Sequence, residues 1–490
     1  MKYILSIDQS TQGTKALLLD ARGTLLRRKD VAHRQIISDE GWVNHDPMEI
    51  WYNTKQAVRL LLEDSGIDAE EIAALGISNQ RETSVCWDKM TGLPIANAIV
   101  WQCGRAKDVC QRVMDAGWSE HVRKATGIPI SPFFPASKFA WLVENIPGAK
   151  QQAMRHELCF GTIDTWLIHC MTDGKSYRTD YSNASRTQLF NIHTLSWDPE
   201  ICTAFGLDAS DLPEVTASDA CFGETDIGGI LPKKVPILGV LGDSHAALFG
   251  QGCLKEGMAK ATYGTGSSIM MNIGSTPIES KNGLVTSLAW KFRGQVNYVM
   301  EGNLNYTGAV IRWLEKDLGL VDSAAQTQEL AEFANPDDTT YLVPAFTGLG
   351  APYWDNESTA LICGMTRLTG KAELVKAGLD CIAYQITDIV TAMEQDAAGK
   401  LSQLRVDGGP TKNRYLMQLQ SDLLDAQVLI PECEELSGIG AAYLAGLTAG
   451  VYNEYVFDAM TVSTFSPAMM EQERQKKYSG WKHAVRLTLR

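Results

Sequence analysis

Apolar runs and turn residues alternate from the first residue onward. Residues 2–8 and 15–20 are rich in β-formers and flank Gln9-Ser10-Thr11-Gln12-Gly13-Thr14; Ala21-Arg22-Gly23 then turns the chain into a third run, 24–32. The pattern predicts a β-meander. Asp46-Pro47-Met48-Glu49 supplies an N-cap, a first-turn proline and a capping-box glutamate, after which Ile50, Trp51, Ala57, Val58, Leu61 and Leu62 share one helical face. A buried strand is expected over 72–79. Strands and helices then alternate, which points to an α/β fold with a partly parallel sheet.

The second half echoes this order. Met258 to Met271 reads strand–turn–strand around Gly264-Thr265-Gly266. An amphipathic segment from about Lys371 to Glu394 leads to a strand ending at Asp407, then Gly408-Gly409 and another helix. Two halves built alike are expected, 1–250 and 251–490, with the boundary in the Gly-rich stretch 250–257. Gly438 to Val451, rich in Gly and Ala, is too short to span a bilayer and predicts a tightly packed helix.

Charge narrows the partners. Against 44 Lys and Arg stand 58 Asp and Glu, a net charge of −14, which disfavours binding duplex nucleic acid through a basic face. The 11 cysteines are odd in number and contain no C-x-x-C pair, as expected of a reducing, metal-free setting. The N-terminal apolar run is interrupted by Asp8 and is too short for a secretory signal, so a soluble cytoplasmic protein without membrane association is expected.

Phosphate chemistry has to come from unusual devices. Gly174-Lys175-Ser176 has His169 where a Walker A loop requires glycine, and no Gly-x-Gly-x-x-Gly turn occurs. The two Gly/Thr/Ser hairpins remain. Each is either a polyphosphate cradle of backbone N–H and hydroxyl groups or a plain turn using glycine for positive φ. Asp8 ends a buried strand, where a carboxylate must pair or sit on a hydrated cation such as Mg²⁺. Asp243, after the strand expected over 235–240, reads as a helix N-cap or a general base. Arg81-Glu82 is either a solvated surface pair or a polyol pocket in which Arg81 donates to oxygens and Glu82 accepts from hydroxyls. Trp101 offers an apolar face to a carbon backbone, or is core.

Six blocks carry a resemblance: Gly41 to Trp51, Asn79 to Thr83, Asn97 to Gln102, Phe133 to Asn145, Asp180 to Thr187 and Gly348 to Trp354. Across nearly the whole chain they resemble the FGGY family of carbohydrate kinases, its glycerol kinase branch above all. The resemblance implies two ribonuclease H-like domains of the actin, hexokinase and Hsp70 class. ATP would lie on the second domain and a sugar or polyol in the cleft. It further implies Asp243 as the base that takes a proton from a primary hydroxyl, with Asp8 and Asp243 at Mg²⁺. Arg81, Glu82 and Trp101 would touch substrate; Thr11, Gly13, Thr14, Lys15, Thr265, Gly308, Arg312, Gly409 and Asn413 would lie by the nucleotide. A dimer or tetramer is common in the family.

Three pocket positions depart from the glycerol kinase branch, which carries Tyr at Phe133, a Gln-Gln pair at Ser244-His245 and Phe at Ser268. These changes remove a hydroxyl and widen the cavity. The expectation is therefore ATP-dependent phosphorylation of glycerol or a similar small polyol, with a four- or five-carbon polyol or ketose (erythritol, erythrulose, xylulose, ribulose) as the alternative. A non-catalytic actin-like sugar-binding or regulatory ATPase is the second alternative.

Overall fold

The expected meander forms one side of a six-stranded sheet. In the structure, a computed structural model describing residues 2–397 and 399–490, β1 (Tyr3–Gln9), β2 (Gly13–Leu19) and β3 (Leu25–Ala32) run antiparallel. Helix α1 (Pro47–Ser65) crosses to β4 (Ile72–Asn79), which lies parallel to β1; β5 (Glu224–Thr225) and β6 (Val235–Gly242) complete the sheet in the order β5-β6-β4-β1-β2-β3. Asp46 caps α1 through a 2.8 Å bond from the Met48 N–H, and Ile50, Ala57, Val58 and Leu61 are buried as their spacing predicts. The capping box is half formed. Glu49 accepts from the Arg34 N–H at 3.2 Å and faces the Arg34 guanidinium, which draws it away from the cap.

Helix α2 (Asp243–Gly250) leads into a second sheet: β7 (Met258–Tyr263), β8 (Ser267–Asn272), β9 (Val285–Phe292) and β10 (Gln295–Leu304). Helix α3 (Lys371–Ala397), β11 (Gln403–Asp407), α4 (Arg414–Leu424), β12 (Gln427–Pro431), α5 (Leu436–Thr448) and β13 (Val462–Phe465) follow, and the order is β9-β10-β8-β7-β11-β12-β13. Five strands in each sheet share one pattern. β10-β8-β7 repeats the antiparallel β3-β2-β1, and β11 and β12 repeat the parallel β4 and β6. The internal echo read from the hairpins is thus a repeat of topology.

One helix departs from expectation, and a second packs as tightly as its composition predicts. α3 is buried almost all round from Val375 to Met393, because α4 and the C-terminal helix Glu471–Thr488 cover the side left open by a one-faced helix. Its Asp388 accepts from Tyr353 Oη (2.7 Å), Tyr478 Oη (2.6 Å) and Trp481 Nε1 (2.7 Å), which meets the cost of burying a carboxylate. The Gly/Ala-rich helix α5, a neighbour of β12 in sequence, packs instead on β1, β4, β6 and α2 of the first sheet. Its composition follows from that contact: a Cβ on Gly440 would lie 1.8 Å from the Ala246 carbonyl oxygen, and one on Gly76 2.3 Å from that of Ala441. Among the described residues no helix is long and apolar enough to cross a membrane.

Candidate active site

Asp8, Asn79 to Thr83 and Asp243 collect at the carboxyl ends of β1, β4 and β6, where open α/β sheets place ligands. The Gln80 N–H donates to the Gln9 carbonyl (2.6 Å) and Gln80 Nε2 to Gln9 Oε1 (3.0 Å), stitching two strand ends together. The Gly242 N–H donates to Ser182 Oγ at 2.9 Å, and Ser182 in turn donates to Asp180. Gly242 is required: a Cβ there would meet Arg81 Cγ at 2.7 Å.

Asp243 is the first residue of α2 and does not cap it through its side chain. Its carboxylate accepts from the Ser244 N–H at 2.6 Å, lies 3.2 Å from Arg81 Nε and is 36% exposed. The N-cap reading therefore gives way to a carboxylate that faces the cleft at the positive end of a helix.

Arg81 and Glu82 are not a surface pair. Both are buried, and each has a different partner. Arg81 donates to both oxygens of Glu301 at 3.0 Å, while Arg186 Nε donates to Glu82 Oε1 at 2.6 Å and Arg186 Nη1 lies 3.0 Å from Glu301. Glu301 belongs to β10 of the second sheet, so the cluster ties the two halves together. Burial opposes its charge, yet Arg186 and Arg81 hold its carboxyl well below the usual range. Ser268 Oγ donates to Glu301 at 3.2 Å, taking a place in the same cluster. His245, buried beside it, is kept neutral by desolvation and by the Arg81 charge.

Lys15 does not stand free to meet a phosphate. Its ammonium bonds Glu435 at 2.7 Å and lies 3.8 Å from Asp8, and Arg28 takes the other Glu435 oxygen. Burial raises the Asp8 carboxyl to about 6 despite Lys15, and the nearby charge of Asp243 adds to the rise. A buried carboxylate raised in part by a second acidic group at neighbouring strand ends is a charge arrangement that a divalent cation relieves. Mg²⁺ uses one or two protein carboxylates together with phosphates and water, so Asp8 and Asp243 suit it without a larger ligand cluster.

Trp101 is half-buried. Its Nε1 donates to Thr11 Oγ1 at 2.9 Å, and its ring meets that of Phe133 edge-to-face at 5.5 Å. Ser244 follows Asp243 at the start of α2. The hairpin glycines have another reason than the one expected from turns: Gly13, Gly264 and Gly266 do not take a left-handed φ. They admit close backbone instead, since a Cβ on Gly13 would lie 2.7 Å from the Val31 carbonyl oxygen and one on Gly266 2.1 Å from that of Leu304.

Thr14 Oγ1 is buried at the first hairpin with no partner among the described residues. At the second, Thr265 is exposed and its carbonyl accepts from the Thr307 N–H (2.9 Å) and the Ala309 N–H (3.0 Å), which brings Gly308 against Gly264. Arg312 is exposed, and a Cβ on Gly409 would meet nothing within 4 Å. Asn413 is occupied as the N-cap of α4, accepting from the Leu416 N–H and donating to Thr327 Oγ1 at 3.1 Å. Sequence reasoning assigned no role to Glu301, Arg186 or Glu435. Only Arg186 stood in a quoted block; Glu301 reads as one more residue of a strand.

Twin sheets of one strand order, with acids and hydroxyl-rich hairpins at their strand ends, are the architecture of the ribonuclease H-like phosphotransferases. Residues 3–250 match the FGGY family of carbohydrate kinases, N-terminal domain, and residues 259–449 its C-terminal domain. The chain belongs to the FGGY family of carbohydrate kinases and is a phosphotransferase acting on an alcohol group. It is 46% identical to glycerol kinase of Caldanaerobacter subterraneus subsp. tengcongensis over 99% of this chain and 98% of that enzyme, and 44% identical to glycerol kinase 2 of Thermotoga maritima over 100% and 99%. The structure of Plasmodium falciparum glycerol kinase with ADP superimposes with a TM-score of 0.94 at 34% identity, covering 100% of this chain and 99% of that one. Xylulose kinase of Lactobacillus acidophilus, at 20% identity and a TM-score of 0.88 over 99% and 98% of the two chains, shares the fold.

Proposed function

We propose that this kinase transfers the γ-phosphoryl group of ATP to a primary hydroxyl of glycerol or a similar small polyol. The observation that carries the reading is the partly exposed Asp243 carboxylate 3.2 Å from Arg81 at the carboxyl ends of the strands; the contacting rings of Trp101 and Phe133 are read as the acceptor wall. Asp243 accepts the hydroxyl proton as the oxygen attacks phosphorus and the bond to ADP breaks in line. Arg81 and Glu82, held rigidly by Glu301 and Arg186, orient the remaining hydroxyls, and Trp101 covers the carbon chain; positioning supplies most of the rate.

Residues 1–250 bind the polyol and 251–490 the nucleotide. Thr11, Gly13, Thr14 and Thr265 approach the phosphates along the two hairpins, Lys15 joins them only once ATP draws its ammonium from Glu435, and Gly308, Arg312, Gly409 and Asn413 approach the nucleoside. Asp8 and Asp243 would hold Mg²⁺, which when bound would offset the charge of the transferred phosphoryl group.

The size of the acceptor is decided around Glu301. Ser268, bonded to the buried Glu301 carboxylate at 3.2 Å, is smaller than the Phe of the glycerol kinase branch, which favours a longer acceptor as the second reading. ADP release with Mg-ATP against glycerol, erythritol, threitol, erythrulose, xylulose and ribulose tests both. The highest kcat/KM with glycerol supports the first. A longer acceptor in front, reversed by Ser268→Phe, supports the second, and no acceptor-dependent turnover refutes both.

A further inference from the structure

The helix Pro135–Asn145 carries a fully buried lysine that the reaction as described does not use. Lys138 is 0% exposed, and its ammonium donates to three backbone carbonyls: Glu82 at 3.2 Å, Trp101 at 3.4 Å and Phe133. An ammonium has three donors, so all are committed. The carbonyls come from three separate segments and belong to three residues assigned here to the acceptor: Glu82, which orients its hydroxyls, and Trp101 and Phe133, its wall. At Glu82 the constraint is greatest, because its φ of 61° lies in the left-handed region that a non-glycine residue adopts only when its surroundings hold it there. Its side chain is fixed by Arg186, its carbonyl by Lys138.

Burial pushes the Lys138 ammonium down to about 7, with the Glu82 charge opposing the shift and Arg105 adding to it, so the fold keeps this lysine at a cost. A core position with no further duty would be filled more favourably by an apolar residue. We propose that Lys138 is a positioning residue for the acceptor: its ammonium clamps the backbone of Glu82, Trp101 and Phe133 into one wall and thereby sets the affinity for the polyol. This inference rests on the acceptor-wall reading above.

The test is steady-state kinetics of the full chain carrying Lys138→Met, with glycerol and Mg-ATP varied separately and thermal unfolding measured alongside. Three carbonyls lose their donor and the wall relaxes, so the glycerol KM rises ~10–100-fold while the ATP KM changes less than ~3-fold. A purely structural lysine would lower the melting temperature and leave both KM values of the folded fraction unchanged. Lys138→Gln, which keeps an amide donor, gives an intermediate glycerol KM and is read in the same way if the methionine variant fails to fold. Trp101→Ala separates the two claims. If it raises the glycerol KM while a folded Lys138 variant stays within ~2-fold of wild type, the clamp is refuted and the wall stands. If Trp101→Ala leaves the glycerol KM unchanged, the wall reading itself fails.

Discussion

Gly440→Ala tests whether the second half of the chain positions the proposed base. Helix α5 lies against α2, and a methyl on Gly440 would sit 1.8 Å from the Ala246 carbonyl oxygen, 2.6 Å from its carbon and 3.0 Å from the Gly250 nitrogen. All three obstacles are backbone, so no side chain can swing aside. Ordinary contact begins at 3.4 Å, so the helices must separate by ~1.6 Å or bend, at a cost of ~1–3 kcal/mol. Asp243 is three residues before Ala246 on the same helix and moves with it. A displacement of ~1 Å at a reacting group costs ~10²-fold in rate. The expected outcome is a kcat down ~10²-fold, a lowered unfolding midpoint and an ATP KM close to wild type. Gly104→Ala is the control, since its methyl would meet nothing within 4 Å. A Gly440→Ala enzyme with wild-type kcat and unfolding midpoint would refute the argument that α5 holds α2 in place.

Three other perturbations follow from the site. Asp243→Asn should lower kcat ~10²–10⁴-fold with nucleotide affinity retained, measured by single-turnover phosphoryl transfer and ADP titration. Asp8, raised from 3.8 to about 6, binds its proton more tightly folded than unfolded, so its contribution to stability is complete below pH 4 and is lost as pH rises through 6. Asp8→Asn should accordingly match wild type near pH 4 and exceed it by ~3 kcal/mol at pH 8 while losing turnover; denaturant titrations at the two pH values check the sign. Glu301→Gln leaves Arg81 and Arg186 short of one buried carboxylate, which should cost ~3–5 kcal/mol of stability and raise the acceptor KM, and an unchanged urea midpoint would count against it.

Much of the fold was legible because its cues are local. The meander, α1 with its Asp46 cap and the strand Ile72–Asn79 need only propensity, period and turn residues, and these agree with the structure. Asp8, Arg81, Glu82 and Asp243 stood out because polar groups at the ends of buried runs demand partners. Local pattern could not show which partners they find. Arg81 and Glu82 are adjacent in the chain, yet their charges are met by Glu301 and Arg186, separated from them by 220 and 104 residues.

The same distinction governs the helices and the hairpins. The chain determined by itself that α5 must pack tightly, since Gly and Ala leave no other use for such a helix, but only the tertiary structure decided that its seat is the first sheet and α2. It likewise placed glycine in both hairpin turns, whereas the assembled sheets decided that these glycines serve backbone approach rather than positive φ. Lys138 is the sharpest case. In sequence it is one cation on a helix; folded, it joins carbonyls from three segments. Secondary structure is written in neighbouring residues because backbone dihedrals are local. A binding site is written in distances between strand ends, and those exist only once the sheets have closed on each other.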